Sequence, residues 1–248
     1  MTNPTLLAIL TRIATGVFVV SIPIFLVTTN VRVLATETWF YEEGFRRHEA
    51  DVATGIEMDE LDAAAGQIAD YFSNDADTLR IVVVEDGEEV ALFDARETEH
   101  MEDVKGLMTA VYRLNEVALA AILIYIPATA LWTREKSAKT VSREALMGVA
   151  VGFALVAVVG VLAFAGFDSA WTTFHEIAFR NDLWQLDPDT DHLIQMFPEP
   201  LWEEATFLVA ALTLMEVALV VAVASVTLLL ARRKERPVAD VEDLVPVA

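Results

Sequence analysis

Residues 145–167 read ALMGVAVGFALVAVVGVLAFAGF, a run without a single charged side chain. An α-helix needs about 20 consecutive apolar residues to cross the hydrocarbon core of a bilayer, and this run meets that length. Three more apolar runs lie at about 6–30, 107–132 and 205–231. The four runs predict a mainly α membrane protein with four transmembrane helices.

The composition of the 248-residue chain narrows the classes of protein that remain. No cysteine is present, which excludes disulfides, thiol catalysis and cysteine-based metal sites. The formal net charge of −21 argues against a nucleic-acid partner, because phosphate binding requires a basic surface. A carboxylate-rich surface stays hydrated at high external salt, where screening weakens the repulsion among its charges. We therefore expect an acidic protein from a salt-loving organism.

Basic residues follow the second and fourth apolar runs and predict the orientation of the chain. They cluster at 134–143 and at 232–236, so the positive-inside rule makes that face cytoplasmic, together with both termini. The first run is expected to remain as a signal anchor, and the acidic tail after Pro237 to be disordered. The predicted transmembrane helices are 1–35, 106–133, 145–167 and 205–231, with a cytoplasmic loop at 134–144, a cytoplasmic tail at 232–248, an extracellular head at 36–105 and an extracellular motif loop at 168–204.

The acidic segment 36–105 is long enough to form a small extracellular α/β head. Residues 58–72 predict an amphipathic helix, because their apolar side chains fall on one stripe: Leu61, Ala65, Ile68 and Phe72. Residues 81–93, with Asp86 and Gly87 near their centre, have the pattern of a β-hairpin. A lone hairpin is marginally stable in water, so we expect this one to pack on the helix.

All four histidines fall in the segments assigned to the external face: His48, His100, His175 and His192. Imidazole is the usual proton shuttle near neutral pH, so histidines beside a membrane surface are candidate acid–base groups. If the second membrane helix begins early, His100 shares one face with Glu97 and Asp103. Either carboxylate could then orient the imidazole and stabilise its charged form.

The stretch 174–191 reads FHEIAFRNDLWQLDPDTD and is dense in polar side chains for a connection between membrane helices. An alternative interpretation is that these residues anchor the helix ends at the interface, with Trp171 and Trp184 in an aromatic belt. HEIAF lacks the second histidine of a zinc-protease helix, and DPDTDHLIQMF lacks the central glycine and closing glutamate of an EF-hand. A site of two histidines and two carboxylates stays an alternative, but we expect neither a metal nor another cofactor.

Two carboxylates within the apolar runs, Glu116 and Glu216, are costly in lipid. We expect both to face the interior of the helix bundle, with Arg113 as the partner of Glu116 at i,i+3. A structural pair is the favoured interpretation, and a proton relay is the alternative.

Two motifs together resemble the lipoprotein intramolecular transacylase (Lit) family. Residues 97–105 match ExxHMxDVK, and residues 174–191 match FHExxFxNDxWxLDPxTD, in the order and spacing of that family. Shorter matches are FY at 40–41, TGI at 54–56 and IADYF at 68–72, so the resemblance extends over nearly the whole chain.

The resemblance implies an integral membrane acyltransferase that acts on a lipid-anchored protein. Members of the family move an acyl chain of a diacylglyceryl-cysteine lipoprotein onto its own α-amino group. His100 and His175 match the catalytic histidine pair of the family. The predicted supporting residues are Glu97, Asp103, Glu176, Asn181, Asp182, Trp184 and Asp191.

One alternative stays open for the substrate, and one for the class of function. A haloarchaeal member would live in a membrane of ether-linked isoprenoid chains, and an ether offers no acyl carbon to attack, so a related lipid-modifying step stays open. The second class is a non-catalytic membrane protein whose external head binds a lipid or a lipoprotein. Catalysis requires both histidines within reach of one substrate atom, whereas binding alone tolerates histidines far apart.

Overall fold

A computed structural model of the chain describes residues 4–85, 87–134 and 137–234. The elements in order are α1 (Pro4–Thr36), α2 (Thr38–Arg47), α3 (Ala50–Thr54), α4 (Met58–Tyr71), β1 (Val82–Glu85), β2 (Glu88–Ala91), α5 (Ala95–Thr133), α6 (Ser137–Ala178), α7 (His192–Met196) and α8 (Glu199–Lys234). Helices α1, α5, α6 and α8 are long and apolar enough to cross a membrane. The predicted fold class, a mainly α membrane protein with four spans and a small α/β head, is confirmed.

The membrane helices extend beyond the apolar runs at the end that carries the head. Helix α6 has 42 residues, about twice the number that a helix needs to cross a hydrocarbon core. It continues past Gly166, whose φ of 158° and ψ of 94° interrupt the helical backbone. Helix α5 begins at Ala95 because Asp94 and Glu97 form a capping box there. These extensions place parts of both motifs on helix ends.

Close contacts and polar side chains hold the four spans together. Gly148 of α6 lies against α1 so tightly that an added Cβ would stand 2.8 Å from the carbonyl oxygen of Val19. Pro23 has no amide hydrogen to bond this carbonyl, so α6 contacts α1 at a point where one backbone hydrogen bond of α1 is missing. Asn115 of α5 donates to the hydroxyl groups of Thr28 and Thr29 at 3.0 and 2.7 Å. Small residues and buried amides of this kind replace the hydrophobic effect in lipid.

The two carboxylates of the spans have partners from α1. Glu116 pairs with Arg32 at 3.3 Å, and its side chain is 62% exposed. The predictions that Glu116 pairs with Arg113 and faces the bundle interior are therefore wrong, because α1 supplies a cation on the outer surface of the bundle. Glu216 accepts a hydrogen bond from the buried amide of Asn30 at 3.1 Å.

The head consists of α2, α3, α4, the hairpin and α7. The helix predicted at 58–72 is α4, and the predicted hairpin pairs Val82 with Ala91 through Glu85 with Glu88. The hydrophobic core of the head also contains residues from the segment between α6 and α8. The main members of this core are Phe45, Leu61, Ile68, Tyr71, Leu92, Leu193, Met196, Phe197 and Leu201. The motif loop is thus folded into the head. Lys136, Arg236 and the tail after Pro237 lie outside the described residues.

Candidate active site

His100 and His175 meet although 75 positions separate them in the sequence. His100 lies in the second turn of α5, and His175 lies in the last turn of α6. Their ring centroids are 6.2 Å apart, and the two residues are only 6% and 7% exposed. The helix extensions beyond the apolar runs bring them together under the head.

Both histidines line a cavity of about 420 Å³ between the head and the membrane helices, here called the histidine cavity. Most other lining residues are aliphatic or aromatic. They include Met101, Val104, Leu107, Met108, Val111, Phe174, Phe179, Trp184, Leu186, Ile194, Phe197 and Trp202. A cavity of this kind suits a hydrocarbon chain, while the imidazoles supply polar groups at one place on its wall.

Aromatic rings enclose His175. Its ring centroid lies 4.4 Å from that of Trp171 and 4.9 Å from that of Trp184. Phe179 contacts both imidazoles, at 5.6 Å from His175 and 5.0 Å from His100. Trp171 and Trp184 therefore form the wall of the cavity at the His175 ring. The alternative interpretation of the sequence placed these two residues in an aromatic belt at the membrane interface.

The two imidazoles differ in their hydrogen bonds. Nδ1 of His175 lies 2.9 Å from the carbonyl oxygen of Trp171. A carbonyl can only accept, so Nδ1 carries the hydrogen, and Nε2 of a neutral ring has a free lone pair. Nδ1 of His100 is buried and has no hydrogen-bond partner among the described residues. Buried polar atoms are normally paired, so this nitrogen is available to a bound group.

The carboxylates expected beside His100 bind the motif loop. Glu97 is 2% exposed; its Oε1 accepts from the amide of Leu193 at 2.6 Å and its Oε2 from the amide of Asp94 at 2.7 Å. Asp103 accepts from the side-chain amide of Asn181 at 2.8 Å. Both carboxylates of the first motif thus hold the second motif against α5, and neither is placed to orient the His100 ring through these bonds.

Arg96 is a site residue that the sequence analysis missed. Its guanidinium donates to the carbonyl oxygens of Asp182, at 3.2 Å, and Gln185. It is one of few basic residues in the acidic segment 36–105 and lies next to Glu97, which was the available signal. Within the loop, Asp191 accepts from the amide of Asp187 at 2.7 Å and closes a turn.

Tyr41 supplies the phenol of the histidine cavity, and its environment keeps it protonated. Burial, with a smaller contribution from Tyr112, raises the pKa of Tyr41 well above its usual value. The hydroxyl donates to the carbonyl oxygen of Ala35 at 2.7 Å. The imidazoles are therefore the side-chain groups of this wall with a lone pair that can accept a proton.

The remaining histidines lie outside this cavity. Nδ1 of His192 is 2.8 Å from the carbonyl oxygen of Leu92, and Nε2 of His48 is 3.7 Å from a carboxylate oxygen of Glu204. Within residues 4–85, 87–134 and 137–234, no group of three or more potential ligands is arranged to hold a metal ion.

The chain matches a protein-family model over the region that contains this site. The model of the lipoprotein intramolecular transacylase Lit matches residues 16–202, which covers most of the chain and all the residues just described at the histidine pair. The chain belongs to the Lit family. It is therefore a multi-pass membrane protein of an acyltransferase family. No curated protein matches the chain.

Solved structures of a Lit protein share the fold. The membrane-integral lipoprotein intramolecular transacylase Lit from Bacillus cereus superposes with a TM-score of 0.71 at 17% identity, over 91% of this chain and 99% of that chain. A variant of that protein with one histidine changed to arginine gives 0.72 at 17% identity, over 93% and 97%. A variant with a histidine changed to alanine gives 0.72 at 17% identity, over 94% and 100%.

For this Lit-family chain, the predicted site residues separate into three groups. His100, His175 and Trp184 line the histidine cavity. A second group fixes the motif loop: Glu97, Asp103, Asn181, Asp182 and Asp191. Glu176 is exposed and does not line the cavity.

Proposed function

We propose that the protein moves an acyl chain from a glyceryl ester to the α-amino group of the same lipid-anchored cysteine peptide. One observation carries this proposal. Two histidines on different membrane helices face one another at 6.2 Å in an apolar cavity beneath the head. A lipid anchor reaches such a place from the bilayer, and the imidazoles are the groups there that can move protons.

The reaction forms one bond and breaks one bond. The amine nitrogen attacks the ester carbon, and Nε2 of His175 takes the amine proton, since Nδ1 of that ring is held by the Trp171 carbonyl. As the bond from carbon to the glyceryl oxygen breaks, the proton passes from His175 through His100 to that oxygen, so both rings end neutral, as they began. Acid–base assistance of this kind is worth about 10²–10⁴ in rate.

The walls of the cavity support the same chemistry. Trp171 and Trp184 lie against His175, and indole rings attract a cation, so they offset part of the cost of burying the imidazolium that forms there. The apolar lining excludes water, which would otherwise hydrolyse the ester. Because amine and ester belong to one molecule, holding them in place supplies further rate.

The orientation in the membrane and the source belong to the same proposal. Lys139, Arg143, Arg232 and Arg233 lie at the end of the bundle opposite the head, which supports a cytoplasmic position for that end and an extracellular head. The net charge of −21 supports a haloarchaeal source. Whatever the source, the proposed reaction requires a lipid anchor with an ester linkage, because an ether has no acyl carbon.

A second candidate is a protein that binds a lipid or lipoprotein without changing it, favoured by the apolar lining of the cavity. The test uses the purified full-length protein and a synthetic diacylglyceryl-cysteine peptide. Intramolecular transfer leaves the mass unchanged, so the readout is the loss of an amine-reactive label and fragment ions that carry the acyl group on nitrogen. We expect both with the wild type. Binding with the free amine retained throughout would support the second candidate.

A further inference from the structure

A second cavity, of about 320 Å³, lies beside the histidine cavity and is lined by residues of α1, α2, α5, α6 and α8 and by Phe72; we call it the slot. The two share six wall residues, so they are adjacent: Val31, Tyr41, Phe72, Val104, Met108 and Trp202. Neither histidine lines the slot. The slot is therefore next to any molecule that occupies the histidine cavity.

The slot runs along the membrane helices. It follows α8 from Ala205 to Thr213, which at 1.5 Å per residue is a depth of about 12 Å. Small side chains, Ala205 and Ala210, leave space on α8, while Leu155 and Val159 of α6 form the facing wall. Its long axis is thus aligned with the lipid chains that surround the protein.

The polar groups on the slot wall already have partners. The hydroxyl of Tyr41 bonds Ala35, the indole nitrogen of Trp202 bonds Phe197, and the hydroxyl of Thr206 donates to the carbonyl oxygen of Trp202. Apart from Thr213, the rest of the wall is apolar. A polar ligand would lose its hydration without gaining hydrogen bonds, whereas a hydrocarbon chain fits the wall.

The deep end of the slot is closed by a buried polar pair. Thr213 is 1% exposed, and its hydroxyl accepts from the amide of Asn30 at 3.1 Å. The same amide donates to Glu216. Separating these groups would leave buried polar atoms unpaired, which disfavours a hydrocarbon chain that extends past Thr213 along α8.

We infer that the slot holds the hydrocarbon chain that the lipid anchor keeps during the reaction. This inference rests on the proposed function, in which an anchor with two chains presents one ester to the histidine pair. A chain in the slot has its linkage at the mouth, away from both imidazoles, so that linkage is not the one attacked. The floor at Thr213 then limits the length of the retained chain.

The first test changes the depth of the slot. Ala210→Phe fills it, and Ala211→Phe is the matched control, because Ala211 is exposed on the same helix and does not line the slot. The substrates are diacylglyceryl-cysteine peptides with one transferred chain and a series of retained chains. Each buried methylene contributes about fourfold to binding. Excluding two of them is therefore expected to lower the ratio of kcat/KM for long retained chains to kcat/KM for short ones by about fifteenfold.

We expect that loss of long-chain preference in Ala210→Phe, with the ratio in Ala211→Phe within about twofold of the wild type, well under the roughly fifteenfold effect of two methylenes. An unchanged ratio in Ala210→Phe would overturn the inference. So would an equal loss in both variants, because it would show a general effect of a bulky side chain on α8.

The second test does not require turnover. A diacylglyceryl-cysteine peptide with a diazirine at the end of its retained chain is irradiated with the wild-type protein, and the labelled residues are mapped by mass spectrometry. We expect labels at 155–159 and 209–213. Labels confined to lipid-facing residues outside the slot would overturn the inference. If no acyl transfer is seen in any sample, the proposed function fails, while this map still decides whether the slot takes the chain.

Discussion

Glu97 is expected to hold the two motifs together. The stability that the protein loses when this side chain is removed can be worked out from its contacts. The side chain is buried and accepts from the amides of Leu193 and Asp94. In Glu97→Ala the buried Leu193 amide loses its acceptor, which costs about 1–3 kcal/mol. Loss of the glutamate half of the capping box adds about 0.5–2 kcal/mol. A destabilisation of about 3 kcal/mol is the central expectation from these two terms.

For a chain of this size, such a change lowers Tm by about 6–12 °C. The assay is thermal unfolding of the purified protein followed by tryptophan fluorescence, since Trp171 and Trp184 lie at the site. Glu97→Gln keeps one acceptor oxygen and is expected to lose about half as much. Glu99→Ala is the matched control, because Glu99 is exposed two positions along the same helix. A Glu97→Ala variant with the same Tm as the wild type would refute the proposed role of this carboxylate.

Two further predictions concern the motif loop. Arg96→Gln removes the charged donor to the carbonyl oxygens of Asp182 and Gln185, so we expect faster proteolytic cleavage of the loop and about tenfold lower acyl transfer, the equivalent of one charge-assisted hydrogen bond. Asn181→Asp places a carboxylate 2.8 Å from Asp103 and replaces a hydrogen bond by repulsion. We expect this variant to lose acyl transfer at pH 8 and to recover part of it at pH 5, where a shared proton relieves the repulsion; equal loss at both pH values would contradict the reasoning.

Local patterns predicted the elements of this fold, and non-local packing decided their contacts. The run at 145–167 is apolar by itself, so a membrane helix follows from its length. The hairpin at 81–93 likewise follows from β-branched residues around a glycine, and Gly87 has a φ of 84° in the turn. In contrast, the partner of Glu116 is Arg32, which lies 84 positions earlier, and no local pattern could indicate it.

The candidate site shows the same division. The meeting of His100 and His175 was expected, because two motifs were assigned to the same side of the membrane. The hydrogen bonds of Glu97 were not, because its acceptor role toward Leu193 depends on how the loop folds into the head. The slot could not be predicted from the sequence for a similar reason, because it is lined by helices whose spacing is set by packing.

The measurement that tests the central claim most directly is the rate of N-acylation in His100→Ala, His175→Ala and the double variant, with His48→Ala as the control. His48 lies outside the histidine cavity, so that variant is expected to match the wild type. We expect each single change at the pair to lower the rate by about 10²–10⁴. Because the two imidazoles act as one unit, the double variant should be no slower than the slower single variant. Wild-type rates in either single variant, or losses that multiply in the double variant, would contradict a shared acid–base role for the pair.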